Sequence, residues 1–181
     1  MKKLLVLLVL MALLIISPAL HAKIKFRGKP APECKMFFIT EAGGFLTKDV
    51  DLVEFGLNSE FGLMYNLNKH SALGATIFHQ VGADLSGMGF KVRYRHWLNS
   101  SFSVDISPGL LLWSEWEAPT FTGHVGLNYK DWVALIAQID HQRGILFSRK
   151  VFSLGIKFGS YVGIVPSILL TLLFYAYSGM E

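Results

Sequence analysis

The stretch EFGLNSEFGLMYN, residues 54–66, constrains the fold more than any other part of the chain. Phe55, Leu57, Ser59, Phe61, Leu63 and Tyr65 fall on one side of the alternation, and Glu54, Gly56, Asn58, Glu60, Gly62, Met64 and Asn66 on the other. A period of two is the period of a β-strand. One face is greasy and the other is polar or small. The same split recurs downstream. Residues 90–97 set Phe90, Val92 and Tyr94 against Lys91, Arg93 and Arg95, and residues 102–112 set Phe102, Val104, Ile106, Leu110 and Leu112 against Ser103, Asp105, Ser107 and Gly109. Residues 120–129 set Phe121, Val125, Leu127 and Tyr129 against Thr120, Thr122, His124, Gly126 and Asn128. Residues 151–159 set Phe152, Leu154, Ile156 and Phe158 against Ser153, Gly155, Lys157 and Gly159. Less regular strands are expected at 72–80 and 132–140, and a first strand at 36–45 whose inner face is ambiguous.

Eight strands result, each near the roughly nine to eleven residues that a tilted membrane strand requires. Their connections alternate in length: NLNKHS, LNSS and YKD are tight and polar, whereas LTKDVD, VGADLSG, SEWEAP and HQRGILFSR are longer. Short turns at one end and longer loops at the other are the layout of an outer-membrane barrel. A soluble sandwich or lipocalin-like barrel would alternate too, but with its apolar face inward and a charged exterior. Here the polar face is rich in glycine (Gly56, Gly62, Gly74, Gly89, Gly109, Gly126, Gly155) and carries few charges, which suits a cramped lumen better than a solvated surface. Aromatic residues near the short turns, Tyr65, Trp97, Phe102, Tyr129 and Trp132, are expected to form an interfacial girdle, with Trp113, Trp116 and Phe121 at the opposite rim.

On this pattern, residues 36–159 resemble the small eight-stranded bacterial outer-membrane β-barrel class. The last strand, SLGIKF, adds Ser153, Gly155 and Phe158 at a spacing similar to the C-terminal signal read by barrel-assembly machinery. The resemblance implies an all-β, antiparallel up-and-down membrane barrel, with that machinery and membrane lipid as partners. The class ordinarily finishes at the terminal aromatic residue, and this chain continues past it.

The ends set further expectations. Lys2 and Lys3, the apolar run of residues 4–16, and SPALHA read as a signal peptide over residues 1–22, cleaved after Ala22 or Ala19. The competing reading is an uncleaved anchor helix, for which the run is short. Residues 23–35 form a basic linker whose Lys23, Lys25, Arg27, Lys29 and Lys35 suit a solvated tether. Removing Lys2 and Lys3 lowers the net charge from +4 to +2, too balanced for a nucleic-acid partner. Cys34 is the only cysteine, so no intrachain disulfide can form. Residues 160–181 read as an apolar helix, since YVGIVPSILLTLLFYAY has no period-two alternation. From Pro166 to Tyr177 such a helix measures about 18 Å and from Tyr161 about 26 Å, short of the roughly 30 Å hydrocarbon core.

The polar face supplies the candidate site. Pairing across LNSS puts Arg95 opposite Asp105 and Arg93 opposite Ser107, while Glu60 shares a row with Phe78 and Lys91 lies next along. Unpaired charge in a poorly hydrated interior is costly, so Glu60, Lys91, Arg93, Arg95 and Asp105 are expected to form a salt-bridged plug, with His124 in the same polar lumen. Ser107, Asp105 and His124 invite a hydrolase reading. Taking SEWEAP as the loop places His124 opposite Gly109, with Ser107 only diagonal to it, and no catalytic residue is assigned. His79, His96, His124 and His141 lack metal-ligand spacing, so neither metal nor cofactor is expected. The leading expectation is an outer-membrane barrel with a structural or surface-interaction role. The alternatives are a lipid-modifying outer-membrane enzyme and a periplasmic ligand-binding barrel anchored to the inner membrane by its tail.

Overall fold

The computed structural model describes residues 35–48, 53–82, 86–114, 119–143, 148–159, 163–165 and 167–168; the expected signal peptide, and all of the basic linker but Lys35, lie outside them. Eight strands follow in order: β1 (Met36–Lys48), β2 (Val53–Asn66), β3 (Ser71–Gly82), β4 (Gly87–Trp97), β5 (Phe102–Ser114), β6 (Thr120–Tyr129), β7 (Val133–Arg143) and β8 (Ser148–Phe158). Each pairs antiparallel with its neighbour, and β1 pairs with β8 to close the barrel. The strands run past their expected ends mainly on the long-loop side, where β1, β3, β5 and β7 reach Lys48, Gly82, Ser114 and Arg143.

The alternation sets which way each side chain points. Phe55, Leu73, Ile77, Val92, Ile106, Val125, Leu135 and Leu154 stand exposed on the outer wall, while Glu60, Lys91, Arg93, Asp105 and Lys157 are buried inside. This inverts a soluble barrel: the greasy face is the surface, and only a hydrocarbon surrounding solvates it well. The ambiguous first strand resolves with Phe37, Ile39, Glu41, Phe45 and Thr47 inward and Phe38 and Leu46 exposed.

Tyr65, Phe102, Tyr129 and Trp132 lie exposed at the short-turn end, as a girdle requires, and Phe121 is exposed at the other. Trp97 does not join them. It is only 5% exposed, faces inward at the end of β4, and packs edge-on against Phe37 with ring centroids 6.0 Å apart. Its position in the alternation is that of Arg93 and Arg95, so the pattern sends it into the lumen whatever its amphipathic ring prefers. With Phe37, Ile39, Met64 and Ala72 it makes an apolar cluster that stops the short-turn end of the lumen. A second cluster, Phe78, Leu111 and Val151, lies toward the long-loop end.

The inward glycines make room for large neighbours. Phe45 pairs with Gly56 on β2 and Gly155 on β8, and a Cβ on Gly56 would stand 3.0 Å from the Phe45 Cε1 and closer still to the ring's far edge. The ring covers a bare backbone and fills space that no other side chain can share. Gly56→Val is therefore expected to displace Phe45 and lower the unfolding free energy by about 1–3 kcal/mol, read as a lower urea midpoint for the barrel in detergent micelles; an unchanged midpoint would show that the ring has free space to move into.

Candidate functional site

The charged side chains that meet in the middle of the lumen come from five strands and one turn. Strand β4 supplies three cations on one face, because Lys91, Arg93 and Arg95 sit two residues apart. The Arg93 guanidinium donates to Glu41 Oε2 from Nη1 (2.8 Å), to Glu41 Oε1 from Nη2 (2.7 Å) and to Asp105 Oδ2 from Nε (2.8 Å), and Nη2 also bridges to Asp105. A weaker bond runs from its Nη1 to Glu60 Oε2 at 3.3 Å. Arg95 makes a two-pronged pair with Asp105, 2.7 and 2.8 Å, and its Nη1 reaches Asp131 in the β6–β7 turn. Lys91 and Lys157 both donate to Glu60 Oε1 at 2.7 Å, and Lys157 stands 3.6 Å from Glu41. Planar guanidinium forks suit this task, since each holds two carboxylates in fixed geometry.

Four acids, Glu41, Glu60, Asp105 and Asp131, thus meet four bases, Lys91, Arg93, Arg95 and Lys157, and the network is neutral. The expected plug of Glu60, Lys91, Arg93, Arg95 and Asp105 comes together, with Arg95 directly opposite Asp105. Three members were not in that set. Glu41 lay on the strand of ambiguous face, Lys157 was read as one polar residue of β8, and Asp131 as a turn residue. A signal for them exists: three cations against two acids leave an excess charge that a narrow lumen cannot hold, so a further acid had to be sought.

His124 also lies in the lumen, its Nδ1 3.2 Å from Lys91 Nζ and 3.7 Å from Glu60. Its register differs from expectation. His124 pairs with Ser107, and Gly109 pairs with Thr122. The cause is that β5 outruns β6: Thr120, the first residue of β6, pairs with Leu111, so the last three residues of β5 have no β6 partner and the connection is not centred on SEWEAP. Among the described residues, the hydroxyl of Ser107 and Nε2 of His124 have no hydrogen-bond partner.

Nearer the long-loop end the lumen is polar, and Asp140 there accepts two bonds from Gln138 Nε2 at 3.1 and 2.9 Å; that same nitrogen donates to Gln80 at 3.0 Å. Outside, an open apolar groove of about 440 Å³ runs beside Ile106, Pro108, Gly123, Val125 and Phe152. Pro108 has no N–H to offer, and the β4–β5 pairing is interrupted between Tyr94↔Ile106 and Lys91↔Gly109. Among the described residues, no three His, Cys, Asp or Glu side chains form a metal-holding group.

The turn that carries Asp131 is strained. Lys130 and Asp131 have φ of 51° and 57°, and the Trp132 N–H bonds the Tyr129 carbonyl at 3.0 Å. Two left-handed residues in a tight hairpin normally call for Asn-Gly or Gly-Gly. Burial pushes the Asp131 carboxyl above its ordinary value even beside Arg95.

Among solved structures the chain is similar to a designed transmembrane β-barrel, at 11% identity and a TM-score of 0.43, over 74% of this chain and 98% of the design. It is also similar to the outer membrane protein Ail of Yersinia pestis, determined in a phospholipid bilayer nanodisc, at 10% identity and a TM-score of 0.37, over 66% and 99% of the two chains. No protein-family model matches the sequence, and no curated protein does.

Two expectations follow for the site. Glu60→Gln strands Lys91 and Lys157 within reach of one uncharged amide and should lower the unfolding free energy by about 3–5 kcal/mol. Adding Lys157→Met restores neutrality and should recover part of that loss, whereas simple additivity of the two urea midpoint shifts would rule out their coupling. In the turn, Lys130→Gly should stabilise by about 0.5–1 kcal/mol by relieving the left-handed conformation. Asp131→Gly gains the same relief but removes an Arg95 acceptor, for a net loss of about 1 kcal/mol; equal stabilisation by both would show that Asp131 does not hold Arg95.

Proposed function

We propose that this protein is a small, non-conducting barrel of the bacterial outer membrane that acts through its outer wall and rims, in a structural or surface-interaction role. The observation that supports this reading most is the closed, charge-neutral network across the lumen. An eight-stranded barrel is only just wide enough for its own side chains. Here four acids and four bases bridge the middle, and the cluster of Phe37, Ile39, Met64, Ala72 and Trp97 stops one end. Nothing the size of a solute passes such an interior without breaking several ion pairs at once. The exposed apolar wall supports a membrane setting, and membrane lipid is the partner that wall fits.

A second reading, an enzyme acting on lipid, draws on one feature. Ser107 and His124 face each other beside the apolar groove, with the Ser107 hydroxyl and His124 Nε2 unbonded. The charges around them oppose it. An ammonium can only donate, so Lys91 at 3.2 Å makes Nδ1 of His124 the acceptor and leaves the ring hydrogen on Nε2. A base poised to take a proton from Ser107 needs the other tautomer, with a carboxylate on Nδ1; Glu60 is farther away, at 3.7 Å.

The test combines three measurements on the whole protein. It should sediment with outer-membrane fractions on a sucrose gradient, migrate faster in SDS unless boiled, and give no conductance steps in a planar bilayer. Inner-membrane sedimentation without heat-modifiable migration would favour the anchored periplasmic barrel, and steady conductance would overturn the plugged lumen. Release of acyl chains from lipopolysaccharide or phospholipid vesicles, lost in Ser107→Ala, would replace the proposal with the enzyme reading.

A further inference from the structure

One sign of charge prevails at the short-turn rim. Lys35, Lys69 and Lys130 are exposed there. Among the described residues Asp131 is the one acid at that end, and its carboxylate turns inward to Arg95. The ion-pair network thus removes the rim's negative charge and leaves its positive charge facing out. At the opposite rim the signs are mixed. Lys48 and Lys150 are exposed and Arg149 and Glu54 half-buried, and the connections there carry Asp49, Asp51, Asp84, Glu115 and Glu117 in sequence.

The basic rim is a bonded platform. Backbone hydrogen bonds tie each part of it to the next: the Asn66 N–H donates to the Lys35 carbonyl at 2.8 Å, Trp97 to His70 at 2.8 Å, Lys130 to Ser101 at 2.7 Å and Gly159 to Trp132 at 2.9 Å. Two turns are also braced from within. Asn68 Oδ1 accepts the His70 N–H at 2.8 Å, and Asn99 Oδ1 accepts those of Ser101 and Phe102 at 2.8 and 2.9 Å. Each lysine is therefore held close to the aromatic girdle. Lys130 falls between Tyr129 and Trp132, with its Nζ 5.2 Å from the Tyr129 ring centroid, and Lys69 lies in the turn that follows Tyr65 and the exposed Leu67. Aromatic rings settle at the depth of lipid headgroups, and a lysine at that depth extends its ammonium toward their phosphates.

We infer that the short-turn rim binds the headgroups of anionic phospholipids, with Lys35, Lys69 and Lys130 each drawing its own phosphate. A zwitterionic headgroup brings a cation of its own to such a rim, whereas an anionic one brings net negative charge. The preference is worth about 1 kcal/mol for each lysine at the surface, or about fivefold in association. The three lysines stand on separate parts of the rim, at the start of β1, in the β2–β3 turn and in the β6–β7 turn, so they enrich a belt of lipid and do not form one pocket. The sequence leading to Lys35 has the same sign, with Lys23, Lys25, Arg27 and Lys29 against Glu33. The inference rests on that part of the functional reading which stands the wall in lipid, and it is the same whatever the barrel does for the cell.

Trp132 supplies the probe, because it follows Lys130 by two residues and is 56% exposed. In the full chain carrying Trp113→Phe and Trp116→Phe, the other remaining tryptophan is Trp97, whose burial in the lumen makes it a constant background. The protein is reconstituted into phosphatidylcholine vesicles in which about one lipid in ten has brominated chains. Brominated phosphatidylglycerol should quench Trp132 about threefold more than brominated phosphatidylcholine at the same fraction. Lys130→Gln should bring the two to equality, Lys130→Arg should keep the difference, and about 0.5 M NaCl should shrink it. Lys48→Gln with Lys150→Gln, at the other rim, should leave it unchanged. Equal quenching with Lys130 in place, or a difference indifferent to Lys130→Gln, would overturn the inference and leave the wall in lipid. Absence of quenching by either lipid would overturn the inference and the membrane reading together. Phosphatidylglycerol retained through detergent exchange, counted by native mass spectrometry, should fall in Lys35→Gln with Lys69→Gln, and an unchanged count would overturn the inference for those two. Equal quenching together with cosedimentation on purified peptidoglycan, lost in Lys69→Gln with Lys130→Gln, would assign the rim to the cell wall instead.

Discussion

Charge neutrality in a narrow interior filled by side chains is the constraint on which the rest of the molecule depends. An ionised side chain brought into such an interior must find its counterion there or pay a penalty of several kcal/mol. The barrel meets this by drawing acids from β1, β2, β5 and a turn around cations from β4 and β8. The pairs are remote in sequence: Lys157 and Glu60 are 97 residues apart, and Arg93 and Glu41 are 52. None can form before distant strands have met. Glu41 on β1 and Lys157 on β8 stand on either side of the seam, so satisfying their charges and closing the barrel are one event.

Much of this was legible in the alternation. Period two, a small-residue polar face and alternating loop lengths are enough for eight strands, their inside-out polarity and the core of the plug. What was not legible depends on register and on neighbours. Trp97 was assigned by the habits of its side chain, yet its parity with Arg95 outweighs them. Glu41 was hidden because Phe37, Ile39 and Phe45 share its inner face, so β1 shows no polar side from sequence alone. The Ser107–His124 pairing was missed because two strands of unequal reach move the centre of their connection, and a slip of two residues separates a facing pair from a diagonal one.

The same charges that fill the lumen limit its chemistry. Lys91 holds Glu60 at 2.7 Å, approaches the Phe78 ring to 4.1 Å and points at His124, so a single ammonium neutralises an acid, packs against an apolar cap and fixes an imidazole. A histidine in that position serves as an acceptor for a buried cation. Its lone pair is spent on structure.

With the interior committed in this way, any dealings with other molecules fall to the wall and the rims, and the wall departs from a plain apolar surface in two places. One is the row Ala42, Ser59 and His79 across β1–β3, which faces outward yet is buried. The other is the groove on the β5–β8 side, where Pro108 interrupts pairing with β4 and Gly123, opposite it, presents no side chain. The two have different chemistry. The first is a row of hydroxyl, imidazole and methyl groups, buried although it faces outward. The groove is lined by aliphatic and aromatic groups and asks for nothing but hydrocarbon, which the bilayer supplies without a dedicated partner. Gly163 and Ser167, after the strand that closes the barrel, lie against the edge of β1, where the Ser167 hydroxyl donates to the Glu41 carbonyl and Gly163 comes close to the carbonyl of Thr40.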